Sequence, residues 1–197
     1  EEVVGLYGRS ISDAEPRHRY LKGPFQGLVN AKAAKVYRDE LILTESVIDT
    51  LSLVQLGLEN VLPCYGTNGF TEVHRKLMSD ERVKRVIIAF DADEAGEAGA
   101  RKLTDELTGN GLTVKTIVPP EGKDWNEYLT GGGRGETVQA LISEALPAGQ
   151  APAGPGVTVS KENGAYRFDS GGVRYRVLGV KTGFAGKPRL HPQNPVP

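Results

Sequence analysis

Only one cysteine (Cys64), three histidines and one tryptophan occur among the 197 residues. A single cysteine excludes a disulfide framework and any cysteine-held zinc site within this chain. His18, His74 and His191 are far apart and in no metal-ligand spacing. An ion bound here must therefore be held by oxygen ligands, which points to Mg²⁺ or Mn²⁺. No apolar run approaches the roughly 20 residues of a spanning helix, which argues against a membrane protein. The N-terminus has neither a basic stretch before an apolar core nor a transit-peptide composition, so a cytoplasmic location is expected. The absence of a starting Met and the Pro-rich end suggest a part of a larger polypeptide. Gly183-Phe184-Ala185-Gly186-Lys187 lacks Walker A spacing, so no ATP-driven motor is encoded here.

Hydrophobic residues make up 39% and charged residues 25%, which places the chain among ordinary globular proteins. The net charge of −1 hides an asymmetry. Residues 1–38 carry +3 and residues 157–197 carry +5, leaving −9 on residues 39–156. An acidic middle between basic ends fits a metal site beside a nucleic-acid track, and it fits plain solvated faces equally well.

Val3–Tyr7 reads as a short strand, followed by turns through Pro24, and Ala31–Tyr37 as a short helix. From Glu40 the pattern becomes regular. Leu41–Leu43 is a buried strand, and Ser46–Leu56 a helix with Val47, Leu51, Val54 and Leu58 on one face. Gly57 ends that helix. Val61–Tyr65 is a strand, Gly66–Gly69 a turn and Thr71–Met78 a helix. Val83–Phe90 is apolar enough to be central in a parallel sheet. Asp93–Leu107 is helical, Leu112–Val118 a strand, and Trp125–Leu129 and Thr137–Leu146 helices. Strands alternating with helices imply right-handed βαβ units, hence an α/β fold with an open, Rossmann-like parallel sheet and flanking helices. The Pro-, Ala- and Gly-rich stretch 147–156 reads as a linker. Val157–Val180 alternates as a small β-rich appendage turning at Asn163-Gly164 and Gly171-Gly172. The tail after Lys181 reads as disordered.

In open α/β sheets, ligands bind beyond the carboxyl ends of the strands. Glu45 follows the first sheet strand directly, with Asp49 one helical turn on. Asp91 and Asp93 follow the central strand, one on either side of Ala92, and the period of two lets both turn toward one space. Asp124 follows the last sheet strand. Carboxylates gathered in this way are costly unless cations lie between them. Glu45, Asp91 and Asp93 are the candidate catalytic residues, and these three with Asp49 and Asp124 the candidate metal ligands. The plain alternative is that Asp93, Glu94 and Glu45 only cap helices. Trp125 reads as a core anchor and Cys64 as a buried strand residue. The small residues Ala95, Gly96, Ala98, Gly99 and Ala100 read as close packing on the sheet.

Leu41-Ile42-Leu43-Thr44-Glu45-Ser46-Val47-Ile48-Asp49 and Ala89-Phe90-Asp91-Ala92-Asp93-Glu94-Ala95-Gly96 resemble the two Toprim motifs, a strand ending in Glu-Gly and a strand ending in Asp-x-Asp. The resemblance covers about residues 40–130. Ser46 stands where the family usually has Gly. Gly122-Lys123-Asp124-Trp125-Asn126-Glu127 is similar to a segment of bacterial-type DNA primases, including phage and plasmid relatives, with Asn126 in place of a second Asp. Val3-Val4-Gly5-Leu6-Tyr7-Gly8-Arg9 and Arg19-Tyr20-Leu21-Lys22-Gly23-Pro24 resemble the N-terminal half of the primase catalytic core, with Lys22 replacing an Asn. The resemblance thus divides the chain into a primase-like stretch 1–38, a Toprim domain 39–146, the linker and the appendage.

It implies a Mg²⁺-dependent (or Mn²⁺-dependent) nucleotidyltransferase making RNA primers on single-stranded DNA from ribonucleoside triphosphates, with a replicative helicase as a further partner. Arg9, Arg19, Lys22 and Lys32 would then contact nucleotide or DNA phosphates, a task that suits arginine's bidentate geometry. A Toprim nuclease shares the acidic cluster and cleaves phosphodiesters instead, and the N-terminal motifs disfavour it. A non-catalytic nucleic-acid-binding module with a basic β-rich tail is the third reading.

Overall fold

Three short apolar runs and a more polar edge strand, Thr113–Thr116, form one parallel sheet, because each is bounded by residues that stop a strand and start a helix or turn. The computed structural model describes residues 3, 5–12, 15, 16, 18–22 and 27–150, and the backbone of residues 160–162, 165–170 and 173–177. The chain divides into two compact units, Glu1–Gln150 and Ala151–Pro197. The first holds β1 (Tyr7–Arg9), β2 (His18–Tyr20), α1 (Lys32–Val36), β3 (Glu40–Thr44), α2 (Val47–Gln55) and β4 (Val61–Pro63). It continues through α3 (Glu72–Asp80), β5 (Arg85–Ala89), α4 (Glu94–Gly109), β6 (Thr113–Thr116), α5 (Trp125–Thr130) and α6 (Gly135–Glu144). The expected strand over Val3–Tyr7 starts later than read, at Tyr7, and pairs antiparallel with a second strand, β2, that the sequence did not reveal.

The sheet order is β4-β3-β5-β6, all parallel. Chain order runs outward in both directions from the β3–β5 pair, so the point between their ends is where an α/β sheet offers a crevice. Alternation sorts the core into two layers. Leu41, Leu43, Leu62, Val86, Ile88 and Phe90 pack with Ala33 of α1, Met78 of α3, and Leu103 and Leu107 of α4. Ile42, Val61, Ile87 and Ala89 pack on the other face with Leu53 of α2, Trp125 and Tyr128 of α5, and Val138 of α6. Both faces are covered, which is why the strands read as continuous apolar runs.

One helix face differs from expectation. Leu51 is exposed, while Val47, Thr50 and Leu53 of α2 are buried. Leu51 instead lines a shallow hollow of about 440 Å³ with Val36, Tyr37 and Val54 on the outside of the layer. Gly57 ends α2 at φ +90°, where a glycine meets no Cβ penalty.

The second unit holds a three-stranded antiparallel sheet of β7 (Ser160–Glu162), β8 (Ala165–Ser170) and β9 (Val173–Val177). The pairs Glu162↔Ala165 and Ser170↔Val173 close its two connections, as two-residue hairpins require. Residues 151–156 of the expected linker and the expected disordered tail after Lys181 lie outside the described residues. No helix among the described residues is long and apolar enough to cross a membrane.

Candidate active site

The strand registers bring the acids together. Thr44 pairs with Ala89, so Glu45 emerges beside Phe90 and Asp91 at neighbouring strand ends. Each turn that follows is held by its own hydrogen bonds. The Thr44 and Thr50 hydroxyls lie 2.6 Å apart, and each reaches the Ser46 carbonyl, at 3.1 and 3.2 Å. The Gly66 amide donates to the Glu45 carbonyl at 2.8 Å, tying the end of β3 to that of β4. Ser46, the departure from the expected Gly, sits in extended backbone and caps α2. Its Oγ accepts from the Asp49 amide at 3.2 Å and donates to Asp49 Oδ2 at 2.5 Å.

Asp49 is therefore a brace. It is 2% exposed, and its Oδ1 accepts from the Trp125 amide at 3.1 Å. Burial raises its pKa and Asp124 adds to the rise, while the Ser46 hydroxyl and the backbone amides of Asn126 and Trp125 oppose it. Asp93 and Asp124 each use one oxygen as a helix cap. Asp93 Oδ1 accepts from the Gly96 amide at 2.8 Å, and Asp124 Oδ1 from the Glu127 amide at 2.7 Å. Asp93 thus caps its helix as the plain alternative has it, Asp124 does the same for α5, and Ser46 rather than Glu45 caps α2. The Ala92 amide donates to the Lys123 carbonyl at 2.7 Å, which draws the Asp124 loop to the end of β5. The Trp125 indole donates to the Ala89 carbonyl at 2.9 Å from a fully buried position. Asn126 turns to Ser52 Oγ at 3.3 Å.

Asp91 is half-buried and differs from its neighbours. Its Oδ1 is the one buried side-chain oxygen or nitrogen among the described residues with no hydrogen-bond partner. Burial pushes its pKa up to about 8, with further contributions from Asp49, Glu45, Asp124 and Asp93 in that order. Glu45 is raised too, by burial first, then by Asp93 and Asp49. Glu45 and Asp91 thus both lie in the field of neighbouring carboxylates. Among the described residues, however, no three His, Cys, Asp or Glu side chains already form a ligand cluster.

The small-residue surface of α4 packs closely, as expected, and at two points against the ends of the sheet strands. A Cβ on Gly96 would lie 2.3 Å from the Asp91 carbonyl oxygen, so only glycine lets α4 start so close to the β5 end. A Cβ on Gly99 would lie 2.8 Å from Thr67 Cβ in the turn after β4. Cys64 is buried as expected, and burial raises its thiol pKa.

The basic candidates do not form one patch. In the β1–β2 ribbon Arg9 pairs with His18 and Gly8 with Arg19. Side chains alternate along a strand, so Arg9 shares a face with Tyr7, His18 and Tyr20, and Arg19 leaves from the opposite face. Lys22 is exposed just after β2, and Lys32, the first residue of α1, lines the hollow beside Tyr37 and Leu51. Sequence reading missed Tyr65, Tyr7 and Tyr20, whose rings connect the ribbon to the sheet. Tyr20 meets Tyr7 at 5.3 Å and Tyr65 edge-on at 5.9 Å between ring centres. The available signal was an aromatic residue directly before the Gly66–Gly69 turn.

Comparison with known proteins bears on this site. Residues 42–129 match the family described as Toprim-like. A DNA primase of Clostridium acetobutylicum is 31% identical over 155 residues, covering 74% of this chain and 25% of that protein. A solved DNA primase domain from Pseudomonas aeruginosa superposes with TM-score 0.60 at 26% identity, over 73% of this chain and 47% of the other. A primase catalytic domain solved bound to single-stranded DNA shares the fold, with TM-score 0.57 at 21% identity over 73% and 48% of the two chains. This chain thus spans about a quarter of the length of that curated relative. Glu45, Asp91, Asp93 and Asp124 stand within the matched segment, the first three just after β3 and β5 and Asp124 at the start of α5. Residues 42–129 form a Toprim domain of the kind found in bacterial DNA primases, and the chain is primase-related.

Proposed function

We propose that this chain is catalytic-core sequence of a DNA primase, joining ribonucleotides on a single-stranded DNA template in a metal-dependent nucleotidyl transfer. The observation that carries the reading is Asp91: a buried, unpartnered oxygen in a carboxyl whose pKa is raised by burial and by the charges of Asp49, Glu45, Asp124 and Asp93. Such a group is tolerated at neutral pH when cations lie beside it. Glu45, Asp91, Asp93 and Asp124 would hold Mg²⁺ or Mn²⁺ through their uncommitted oxygens, with Asp49 bracing the set through Ser46 and the Trp125 amide. Mg²⁺ sites commonly take one or two carboxylates and complete their shell with substrate phosphates.

When bound, such ions neutralise the triphosphate and activate the attacking oxygen. In the reaction, the 3′-oxygen of one ribonucleotide bonds to the α-phosphorus of the next and pyrophosphate leaves. The protein's own part is positioning and fixed charge. The Gly66–Glu45 and Lys123–Ala92 backbone bonds hold three strand ends in register. Arg9, on the inward face of the ribbon, is the side chain suited to grip a phosphate bidentately. The structural neighbour solved with single-stranded DNA supports the template class.

The test is primer synthesis with single-stranded DNA, ribonucleoside triphosphates and Mg²⁺. Asp91→Ala is expected to abolish the product while leaving the circular dichroism spectrum intact, and synthesis retained by that variant refutes the assignment. Cleavage of the DNA without nucleotides would identify a nuclease instead.

A further inference from the structure

The residue after Cys64 has a backbone that its side chain does not favour. Tyr65 takes φ +63°, in the left-handed region. For a bulky residue this conformation is disfavoured and persists only where surrounding contacts determine it. Three such contacts are present. The Val29 amide donates to Tyr65 Oη at 3.0 Å. The ring meets Tyr20 of β2 edge-on, at 5.9 Å and 79°. Its other side meets His74 edge-on, at 6.3 Å and 65°.

His74 is itself immobilised. It is 1% exposed, its Nδ1 accepts from the Thr71 amide at 3.1 Å, and its Nε2 donates to the Pro63 carbonyl at 2.9 Å. With the Thr71 amide donating to Nδ1, the ring proton belongs on Nε2. Tyr65 therefore stands against a fixed wall. Tyr20 in turn meets Tyr7 at a tilt of 42°, and the Tyr7 phenol lies 2.9 Å from His18 Nδ1. The residue that follows, Gly66, donates to the Glu45 carbonyl. One strained residue thus links the face of the ribbon that carries Arg9 to the strand end that carries Glu45.

We propose that Tyr65 is a positioning residue whose ring fixes the β1–β2 ribbon, and with it Arg9, against the carboxylate site. The proposal rests on the primase reading only in making that ribbon a contact for template or nucleotide. Glycine prefers the Tyr65 backbone conformation, so Tyr65→Gly removes the ring while relieving strain and leaves the sheet folded. Tyr65→Phe keeps the ring and loses the hydroxyl that accepts from the Val29 amide.

The experiment compares both variants of the full chain by three readouts. These are the heteronuclear NOE of the Gly8 and Arg19 amides, Mn²⁺ affinity, and the KM and kcat of primer synthesis. Tyr65→Gly is expected to lower the NOE of the ribbon, leave Mn²⁺ affinity unchanged and cut kcat/KM by roughly tenfold to a hundredfold, mainly through KM. Tyr65→Phe is expected to restore all but a small part of the loss. A ribbon as ordered in Tyr65→Gly as in the natural protein overturns the proposal, as does loss of Mn²⁺ affinity in parallel with catalysis, which would mark Tyr65 as merely structural. A loosened ribbon with unaltered KM and kcat supports the positioning role and counts against the ribbon's part in the primase reading instead.

Discussion

Replacing Asp91 with Asn is expected to make the metal-free protein more stable and catalytically dead. Asp91 is held at a pKa of about 8, against an ordinary 3.8, by burial and then by Asp49, Glu45, Asp124 and Asp93. A carboxyl raised in the native state binds its proton more tightly there than in the unfolded chain. Its contribution to stability is full below the unfolded value and is lost as pH rises through about 8. Taken without screening, the shift corresponds to about 6 kcal/mol at 1.36 kcal/mol per unit. Asp91 is only half-buried, so solvent screening brings the expected cost of its charge to about 1–3 kcal/mol. For a chain of this size that is a fall in Tm of roughly 2–12 °C.

The assay is thermal melting followed by circular dichroism in EDTA. The natural protein should melt lower at pH 9 than at pH 6. Asp91→Asn, which keeps the shape and removes the charge, should melt above it at pH 9 and close to it at pH 6. At pH 7.5, adding Mn²⁺ should raise the Tm of the natural protein by the linkage expected of a ligand that binds only the native state, and should do little for the variant. A variant that melts lower than the natural protein at pH 9 without metal, or one that Mn²⁺ stabilises equally, would refute the argument that Asp91 is a charge awaiting a cation.

Three further outcomes follow from the same geometry. Gly96→Ala places a Cβ 2.3 Å from the Asp91 carbonyl oxygen and should destabilise the fold by about 1–3 kcal/mol in urea unfolding while weakening Mn²⁺ binding. Destabilisation with metal affinity intact would show that α4 moves without disturbing Asp91. Trp125→Phe leaves the Ala89 carbonyl without its indole donor and should cost about 1–3 kcal/mol, and unchanged urea unfolding would contradict the anchoring role. Arg9→Ala should lower the salt dependence of single-stranded DNA binding by about one phosphate contact, and Arg19→Ala, on the other face of the ribbon, should not. Equal slopes for the two variants would contradict the assigned faces.

The α/β core was legible because its signals are local. The strands β3, β4 and β5 are apolar runs, and Glu45, Asp91 and Asp93 follow the ends of β3 and β5 within four residues. The sheet order, with β3 and β5 in the middle, agrees with the expectation of a central strand over Val83–Phe90. The N-terminal ribbon was not legible in detail. His18–Tyr20 is exposed along its length, so it carries no alternation of polar and apolar residues to announce a strand. The inward face of α2 was misjudged at Leu51, because an apolar residue at helical spacing says nothing of whether a partner covers it.

By itself, then, the amino-acid order determined where the acids stand along the chain and which strand ends carry them, since strand and cap propensities act over a few residues. What each carboxylate does was decided by tertiary contacts. Asp49 became a brace through an amide 76 residues away, and among the described residues Asp91 alone kept a buried oxygen with no partner. Tyr65 took its strained backbone from contacts with Val29, Tyr20 and His74. Hydrogen bonding and desolvation depend on distances in space, and residues far apart in sequence acquire those only when the sheet closes.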